Sequence, residues 1–298
     1  MKQRVLTALL LAPLAIALIL LLPTPAFAVV IGGLCLLALW EWTRLSGMRD
    51  RRVRGVLLAF AVLAFWALWH WRDHDAIILV IAAGAAWWVV ALFWLKQFSF
   101  AAAPTRENTL LKLVVGMFVM FPAWIALMRI HAAPDHGHWW ALYALVLGWS
   151  ADTFAYLAGM RWGRRKLAPS ISPGKTWAGV YGGLAATARV PASCGLLACS
   201  SRPFLKSSCR LAATAVVAAI GGWLLGVQDL RLPALVALAL LCVCFSVVGD
   251  LFESLIKRHA GVKDSGALFP GHGGVFDRLD GIFALLPLFA LGKLLLGI

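Results

Sequence analysis

One stretch near the end of the chain, residues 254–280, brings together the residue types that phosphate chemistry needs. Its polar residues and its Gly-Gly pair are Lys257, Arg258, Lys263, Arg278, His272, Asp264, Asp277, Asp280, Gly273 and Gly274. Cations neutralise phosphate oxygens, carboxylates hold divalent metals, and glycines let a backbone approach a phosphate closely. The rest of the chain is strongly apolar, and charges beside hydrocarbon are costly. The 254–280 stretch therefore predicts phosphate chemistry at a membrane surface.

The helix before this stretch extends the same pattern. Four polar residues follow the spacing i, i+4, i+7 and i+8 of one helical face: Asp250, Ser254, Lys257 and Arg258. Asp277 and Asp280 share a face as well if the last helix begins within 275–281. Mg²⁺ is usually held by one or two carboxylates and by substrate phosphates. Asp250, Asp277 and Asp280 are therefore the candidate metal ligands.

A second polar cluster lies upstream. Asp152 falls inside an apolar run, where a carboxylate is a functional candidate by default. The loop 161–175 ends in Ser172-Pro-Gly-Lys175-Thr176. A Walker A loop would need glycine at position 169, which is proline here. We expect a phosphate-binding turn on the same side as the 254–280 stretch.

The composition predicts an all-α, polytopic integral membrane protein. The chain is 62% hydrophobic and 13% charged, with a mean hydropathy of +0.87, whereas soluble domains carry about 25% charged residues. A span needs roughly 20 apolar residues. Candidate spans lie near 5–22, 25–43, 55–71, 76–95, 110–130, 139–160, 233–252 and 281–297, with one more across 177–227. These make about nine spans, which we divide into N-terminal helices (1–130) and a C-terminal catalytic region (131–298).

The placement of the +14 net charge predicts the orientation. Basic residues concentrate in the loops 44–54, 96–112 and 161–175, whereas the alternate loops are nearly neutral or mixed in sign. The positive-inside rule then places the N-terminus and the catalytic face of the C-terminal half in the cytoplasm. Charges in juxtamembrane loops favour anionic lipid headgroups as partners over nucleic acid.

Residues 189–210 interrupt this regular pattern. The pentapeptide LAATA occurs at 184–188 and again at 211–215, and the tract between them carries two prolines and four cations. Such residues are poor material for a span. Our hypothesis is an insertion or a shifted reading frame within one ancestral span across 177–227. The alternative is a genuine loop outside the membrane with a chance repeat.

The motifs together resemble the phosphatidate cytidylyltransferase (CDP-diacylglycerol synthase) family. The similar parts are the 254–280 stretch, Asp152-x-x-Ala-Tyr156, Lys166-Leu167 and Ser172-Pro-Gly-Lys175-Thr176-Trp177. The resemblance implies transfer of the cytidylyl group of CTP to phosphatidate, giving CDP-diacylglycerol and pyrophosphate. The chain departs from the family at Ala178, where Glu or Gln is usual, and in the tract 189–210.

The resemblance also implies a role for each candidate residue. Catalytic roles fall on Asp250, Asp277, Lys257, Arg258 and Asp280. Substrate-binding roles fall on Ser254, Lys263, Asp264, His272, Gly273, Gly274, Arg278, Asp152, Ser172, Lys175 and Thr176. Mg²⁺ is the implied cofactor, with room for a second, monovalent cation, and a homodimer stays open.

Two other classes of protein compete with this interpretation. A CDP-alcohol phosphotransferase would need the paired D-G-x-x-A-R and G-x-x-x-D-x-x-x-D pattern, which is absent from the sequence. A non-enzymatic anionic-lipid transporter or binding protein would explain the cations. It would not explain the aspartates or the Gly-Gly pair.

Overall fold

The computed structural model describes residues 2–168, 171–184, 213–266, 268 and 273–298. In this part of the chain the elements are α1 (Lys2–Leu21), α2 (Thr24–Leu45), α3 (Arg51–His70), α4 (Ala76–Lys96), α5 (Arg106–His131), α6 (Gly137–Trp162), β1 (Lys166–Ala168), β2 (Ser172–Thr176), α7 (Trp177–Leu184), α8 (Ala213–Leu224), α9 (Arg231–His259) and α10 (Phe276–Leu296). The predicted all-α class is confirmed, with one small β-hairpin added. The tract 189–210 and His272 lie outside the described residues.

In the part of the chain that the structure describes, seven helices are long and apolar enough to cross a membrane: α2, α3, α4, α5, α6, α9 and α10. They match seven of the predicted spans, and a polytopic membrane protein is confirmed. Large apolar side chains such as Leu63, Trp66 and Leu79 are more than half exposed on these helices. Apolar surface of this kind is typical of helices that face lipid.

The predicted span across 177–227 is described only at its two ends. There α7 has eight residues and α8 has twelve. Each is shorter than the roughly 20 residues that a span needs. The single-span hypothesis therefore depends on residues outside the described part and stays a prediction.

Local sequence explains where several helices begin. Asp50 accepts a hydrogen bond from the Arg52 N–H group at 2.8 Å, which caps α3. Thr105 caps α5 by accepting from the Asn108 N–H group at 3.3 Å. Side-chain oxygens at these positions satisfy N–H groups that have no partner inside the helix. Both caps lie in basic loops.

α10 lies at the centre of the bundle, packed against α4, α5 and α9. Beside it, Phe252 of α9 lies within an aromatic cluster. Its ring centroid is 5.5 Å from that of Trp94, 6.1 Å from that of Trp88 and 6.3 Å from that of Trp42. Trp88 and Trp94 meet the Phe252 ring edge to face, and Trp42 is stacked with it, both of which are favourable arrangements at these distances. The cluster joins α2 and α4 to the helix that carries Asp250.

The loops alternate between the two ends of the bundle. At one end the contacts are Arg44 to the Ser265 carbonyl, His259 to the Phe98 carbonyl and Arg258 to the Ile171 carbonyl. At the other end they are His131 to the Ile19 carbonyl, His138 to the Leu20 carbonyl and Arg231 to the Gly297 carbonyl. The basic loops thus meet at the end that holds the 254–280 stretch.

The loop after α6 forms a hairpin, so residues 172–176 do not form the predicted turn, and phosphate binding by this segment stays a prediction. β1 and β2 pair antiparallel, with Lys166 opposite Thr176 and Ala168 opposite Ser172. Residues 172–176 are therefore the second strand, and the chain reverses before them. The Trp177 N–H group donates to the Arg165 carbonyl at 3.0 Å and closes the hairpin.

Candidate active site

α9 and α10 pack backbone against backbone at two glycines. A Cβ atom on Gly249 would lie 2.5 Å from the Asp280 carbonyl oxygen, and one on Gly281 would lie 3.0 Å from Asp250 Oδ1. Real Cβ atoms need more room than this. The two helices can therefore pack this closely only because both residues are glycine. This packing brings the carboxyl groups of Asp250 and Asp280 within electrostatic reach of each other.

A cavity of about 660 Å³ opens beside these two carboxylates, between α6, the hairpin, α7, α9 and α10. Its charged lining residues are Asp152, Asp250, Asp277, Asp280, Lys166, Lys175 and Arg278. Its apolar lining includes Met160, Val180, Val243 and Val247. The charged lining residues suit anionic groups with a metal, and the apolar ones suit hydrocarbon. The cavity thus fits an amphiphilic phosphate ligand.

The hairpin places the Lys175 cation next to a carboxylate of this cavity. Lys175 Nζ lies 2.6 Å from Asp250 Oδ2, and both side chains are partly exposed. Asp152 of α6 is exposed to the cavity and interacts electrostatically with Asp250, Asp280 and Lys175. Four elements (α6, the hairpin, α9 and α10) therefore bring together the two polar clusters that lie apart in the sequence.

A second charged group lies between α9 and α10 and is buried. Lys257 Nζ lies 2.7 Å from Asp277 Oδ1 and 3.1 Å from Glu253 Oε2. The Glu253 carboxyl group also faces those of Asp277 and Asp280. Buried charges need partners, and breaking such a pair is strongly destabilising. This network is therefore a fixed part of the helix pair.

Asp277 also organises the loop that precedes α10. Its Oδ2 atom accepts from the Gly274 N–H group at 2.7 Å and from the Ser265 N–H group at 3.0 Å. Gly273 has φ +85°, a conformation that side chains rarely adopt. A Cβ atom there would lie 2.5 Å from Asp277 Oδ2. The N–H of Gly274 is thus engaged by Asp277, and the Gly-Gly pair folds around that carboxylate.

Two further candidate residues have structural contacts. Arg258 Nε donates to the Ile171 carbonyl at 3.2 Å and ties the end of α9 to the hairpin. Thr176 Oγ1 accepts from the Gly179 N–H group at 3.2 Å and caps α7, although Thr176 also lines the cavity. Both contacts hold the hairpin against the bundle.

The structure does not bring every candidate residue to the cavity. Lys263 and Asp264 are exposed, and Ser172 and Ser254 are partly buried; none of these four lines it. Arg278 is exposed and does line it. Lys257 and Arg258 lie in the neighbouring network and at the hairpin.

Sequence reasoning missed two acidic residues. Glu253 is 2% exposed and pairs with Lys257 at i, i+4, a spacing that could have identified it. Glu41 is 9% exposed and accepts hydrogen bonds from Ser265, Val275 and Phe276. A carboxylate inside a predicted span is a functional candidate by default, and this position within the second span could have identified Glu41.

The carboxylates fit Mg²⁺ bound jointly with a substrate. Within the described residues, no three His, Cys, Asp or Glu side chains form a ready-made metal cage. Mg²⁺ does not require one, because it commonly takes one or two carboxylates and completes its shell with phosphates and water. Asp250 and Asp280 meet that requirement at the cavity, with Asp152 beside them.

Comparisons with known proteins find relatives over nearly the whole chain. The chain matches the Cytidylyltransferase family over residues 2–295. It is 37% identical to a phosphatidate cytidylyltransferase of Pseudomonas aeruginosa, over 97% of this chain and 96% of the relative. It is 32% identical to a protein of the same name from Haemophilus influenzae, over 97% of both chains, and 28% identical to one from Bacillus subtilis, over 96% and 95%.

The fold defines a polytopic membrane protein with a cavity lined by carboxylates and cations from several helices and the hairpin. The chain belongs to the Cytidylyltransferase family. The match covers the N-terminal helices as well as the 254–280 stretch, whereas the motifs in the sequence covered roughly the C-terminal half.

Proposed function

We propose that this protein transfers the cytidylyl group of CTP to phosphatidate, giving CDP-diacylglycerol and pyrophosphate. The observation that carries the proposal is the cavity whose lining combines carboxylates and cations from α6, the hairpin, α9 and α10 with apolar side chains. A nucleoside triphosphate needs the charged part, and a lipid phosphate needs both parts. The names of the relatives support the same reaction.

In this reaction a phosphate oxygen of phosphatidate attacks the α-phosphorus of CTP. The new P–O bond forms as the bond from the α-phosphorus to the bridging oxygen breaks, and pyrophosphate leaves with that electron pair. Both substrates are anions, so the protein must hold them together and offset their charge. Lys166, Lys175 and Arg278 are the cations at the cavity, and Lys257 lies one layer behind it.

Mg²⁺ is the cofactor we propose, held by Asp250 and Asp280. When bound, it would lower the charge repulsion between the substrates and polarise the phosphoryl oxygens. Asp277 was a third candidate ligand, but its oxygens accept hydrogen bonds from Lys257, Ser265 and Gly274. We therefore assign it to holding the loop and the network beside the metal carboxylates.

We infer the membrane side of the active site from the end of the bundle that holds the cavity. The basic loops 44–54, 96–112 and 161–175 lie at that end, together with the 254–280 stretch. The positive-inside rule then supports a cytoplasmic active site and a cytoplasmic N-terminus in the inner membrane. Nine spans follow if α1 is one span and α7 with α8 belongs to another.

A non-enzymatic anionic-lipid protein explains less of the site. Such a protein needs cations and an apolar wall but has no use for Asp152, Asp250 and Asp280 crowded at one cavity. Carboxylates gathered at the cavity would repel an anionic lipid. The catalytic proposal gives these groups a role as metal ligands.

The test is release of pyrophosphate from CTP by the purified full-length protein in detergent micelles. We expect release only when phosphatidate and Mg²⁺ are both present. Micelles with diacylglycerol in place of phosphatidate are the control, because diacylglycerol lacks the attacking phosphate. Equal release with both lipids, or none with phosphatidate, would reject the proposal.

A further inference from the structure

Glu41, near the end of α2, is a buried carboxylate that contacts the 254–280 stretch from more than 200 positions away. Its Oε2 atom accepts from Ser265 Oγ at 2.7 Å and from the Phe276 N–H group at 2.9 Å. Its Oε1 atom accepts from the Val275 N–H group at 3.0 Å. A buried charge is tolerated when it is fully hydrogen-bonded, and these three donors meet that condition.

Two of these donors make Glu41 the N-terminal cap of α10. The first N–H groups of a helix have no partner inside it. Val275, at the cap position, makes no side-chain capping bond of its own. Its N–H group and that of Phe276 go to Glu41 instead, where a negative charge is also favoured by the helix dipole. A residue of α2 therefore caps α10, whereas a helix is usually capped by a residue next to it in the sequence.

Glycines leave the space that this carboxylate occupies. A Cβ atom on Gly266 or on Gly274 would collide with the Glu41 carboxyl group. Gly274 belongs to the Gly-Gly pair, which the sequence analysis assigned to close contact with phosphate. In the structure one side of Gly274 meets Glu41, while its N–H group donates to Asp277. The loop is built around two carboxylates from different helices.

Arg44, one turn after Glu41, holds the same loop. Its Nη2 atom donates to the Ser265 carbonyl at 2.8 Å. Ser265 is fully buried, and its N–H group donates to Asp277 at 3.0 Å. The three polar groups of Ser265 are thus bound by Glu41, Arg44 and Asp277. Displacing Glu41 would release both Ser265 and the start of α10, the two points that fix Asp277.

We propose that Glu41 is a positioning residue for cytidylyl transfer, an inference that rests on the function proposed above. Glu41 touches neither the cavity nor its cations. It fixes the first turn of α10, and through that turn it fixes Asp277, with its partner Lys257, and Asp280 one turn later. A reaction that depends on holding two anions in line is sensitive to displacements of about 1 Å, which cost up to roughly 100-fold in rate.

The test is Glu41→Gln, which keeps the size of the side chain and removes its charge. A Gln amide nitrogen would face an N–H or hydroxyl donor and could not accept from it. We expect kcat to fall roughly 10- to 100-fold, with much smaller changes in the KM values for CTP and phosphatidate. We also expect faster hydrogen exchange in the peptide 273–283, and unchanged exchange in α5.

The matched control is Thr24→Val, at the other end of the same helix. Thr24 Oγ1 and His131 Nδ1 are hydrogen-bonded at 3.0 Å, so this variant also removes a bond between α2 and a neighbouring helix. It should leave kcat and exchange at 273–283 unchanged. Ser265→Ala should lower kcat by itself and add little in the Glu41→Gln background, because both changes break one contact.

The outcomes separate the two proposals. No turnover by the unmodified protein, in the assay described above, would overturn the proposed function and this inference with it. An active protein whose Glu41→Gln variant keeps its kcat would overturn the inference alone. So would a lower kcat without faster exchange at 273–283, because the effect would then not act through the start of α10.

Discussion

Asp277 accepts three hydrogen bonds, one from Lys257 Nζ and two from the N–H groups of Ser265 and Gly274. All three partners are donors, so the position requires a side chain that only accepts. A carboxylate in the first turn of α10 is also favoured by the helix dipole. Asn would place an NH₂ group against at least one donor, and a donor facing a donor leaves both unsatisfied.

We therefore expect Asp277→Asn to lower kcat by roughly 10²–10³-fold, the usual range for loss of an electrostatic group at an active site. Membrane insertion should be unaffected, because the change removes a charge without adding one. The measurement is pyrophosphate release per amount of purified protein, with Asp73→Asn as the control. Asp73 is a highly exposed carboxylate paired with Arg72. A near-normal kcat in Asp277→Asn would refute its role.

The predicted metal carboxylates and phosphate-binding cations are paired with each other in this structure. Lys175 pairs with Asp250, and Lys257 pairs with Asp277 and Glu253. Lys175 would become available to a phosphate oxygen when Asp250 turns to the metal, whereas the Lys257–Asp277 pair stays in place and holds the loop. Substrate and metal would thus replace one existing ion pair, which avoids leaving charges unpaired between turnovers.

At the scale of elements, the approach of α9 and α10 depends on glycine. A Cβ atom on Gly281 would lie 2.5 Å from Ser246 Oγ and 3.0 Å from Asp250 Oδ1. Ser246 is 2% exposed, so it has little space into which it could move. A methyl group at position 281 would push α10 away from α9 and separate the two carboxylates at the cavity.

We expect Gly281→Ala to destabilise the protein by about 1–3 kcal/mol, the usual cost of overpacking, and to lower turnover. Gly33→Ala is the matched control, since Gly33 lies inside α2 and a Cβ atom there meets nothing within 4 Å. This control should be neutral or stabilising by up to about 1 kcal/mol, because Ala is the better helix former. Thermal unfolding in detergent compares the two. Equal midpoints would show that the α9–α10 contact tolerates a side chain.

Local spacing predicted the helices and much of the site, because both depend on residues close in sequence. The face shared by Asp277 and Asp280 follows from helical periodicity alone. The role of Glu41 could not be predicted from the sequence, because it depends on a contact between distant positions. The hairpin could not be predicted either, because its strands are short. Glu41 meets Ser265 across 224 positions, and β1 and β2 are too short to show alternation. Sequence spacing carries no signal for such pairings.

At the scale of the whole molecule, the loops alternate between two ends of the bundle, so the membrane side of one loop fixes the side of all the others. The loops at 45–51 and 96–106 and the described residues of the hairpin and of the 259–276 segment share one end of the bundle. The loops at 21–24, 70–76, 131–137 and 224–231 share the other. A probe at one position of each set therefore determines the orientation of all the described spans.

We expect Lys263 on the cytoplasmic side and Asp73 on the opposite side, because the basic loops accompany Lys263. The test places a single cysteine at either position, Lys263→Cys or Asp73→Cys, in a background without the six native cysteines. Both positions are exposed, so a membrane-impermeant maleimide can reach them from the correct side. Cysteine at 73 should label in intact spheroplasts, and cysteine at 263 should label only after permeabilisation. The cysteine-free background is the control for labelling elsewhere. Labelling at 263 before permeabilisation would place the cavity on the side away from cytoplasmic CTP and would contradict the proposed orientation.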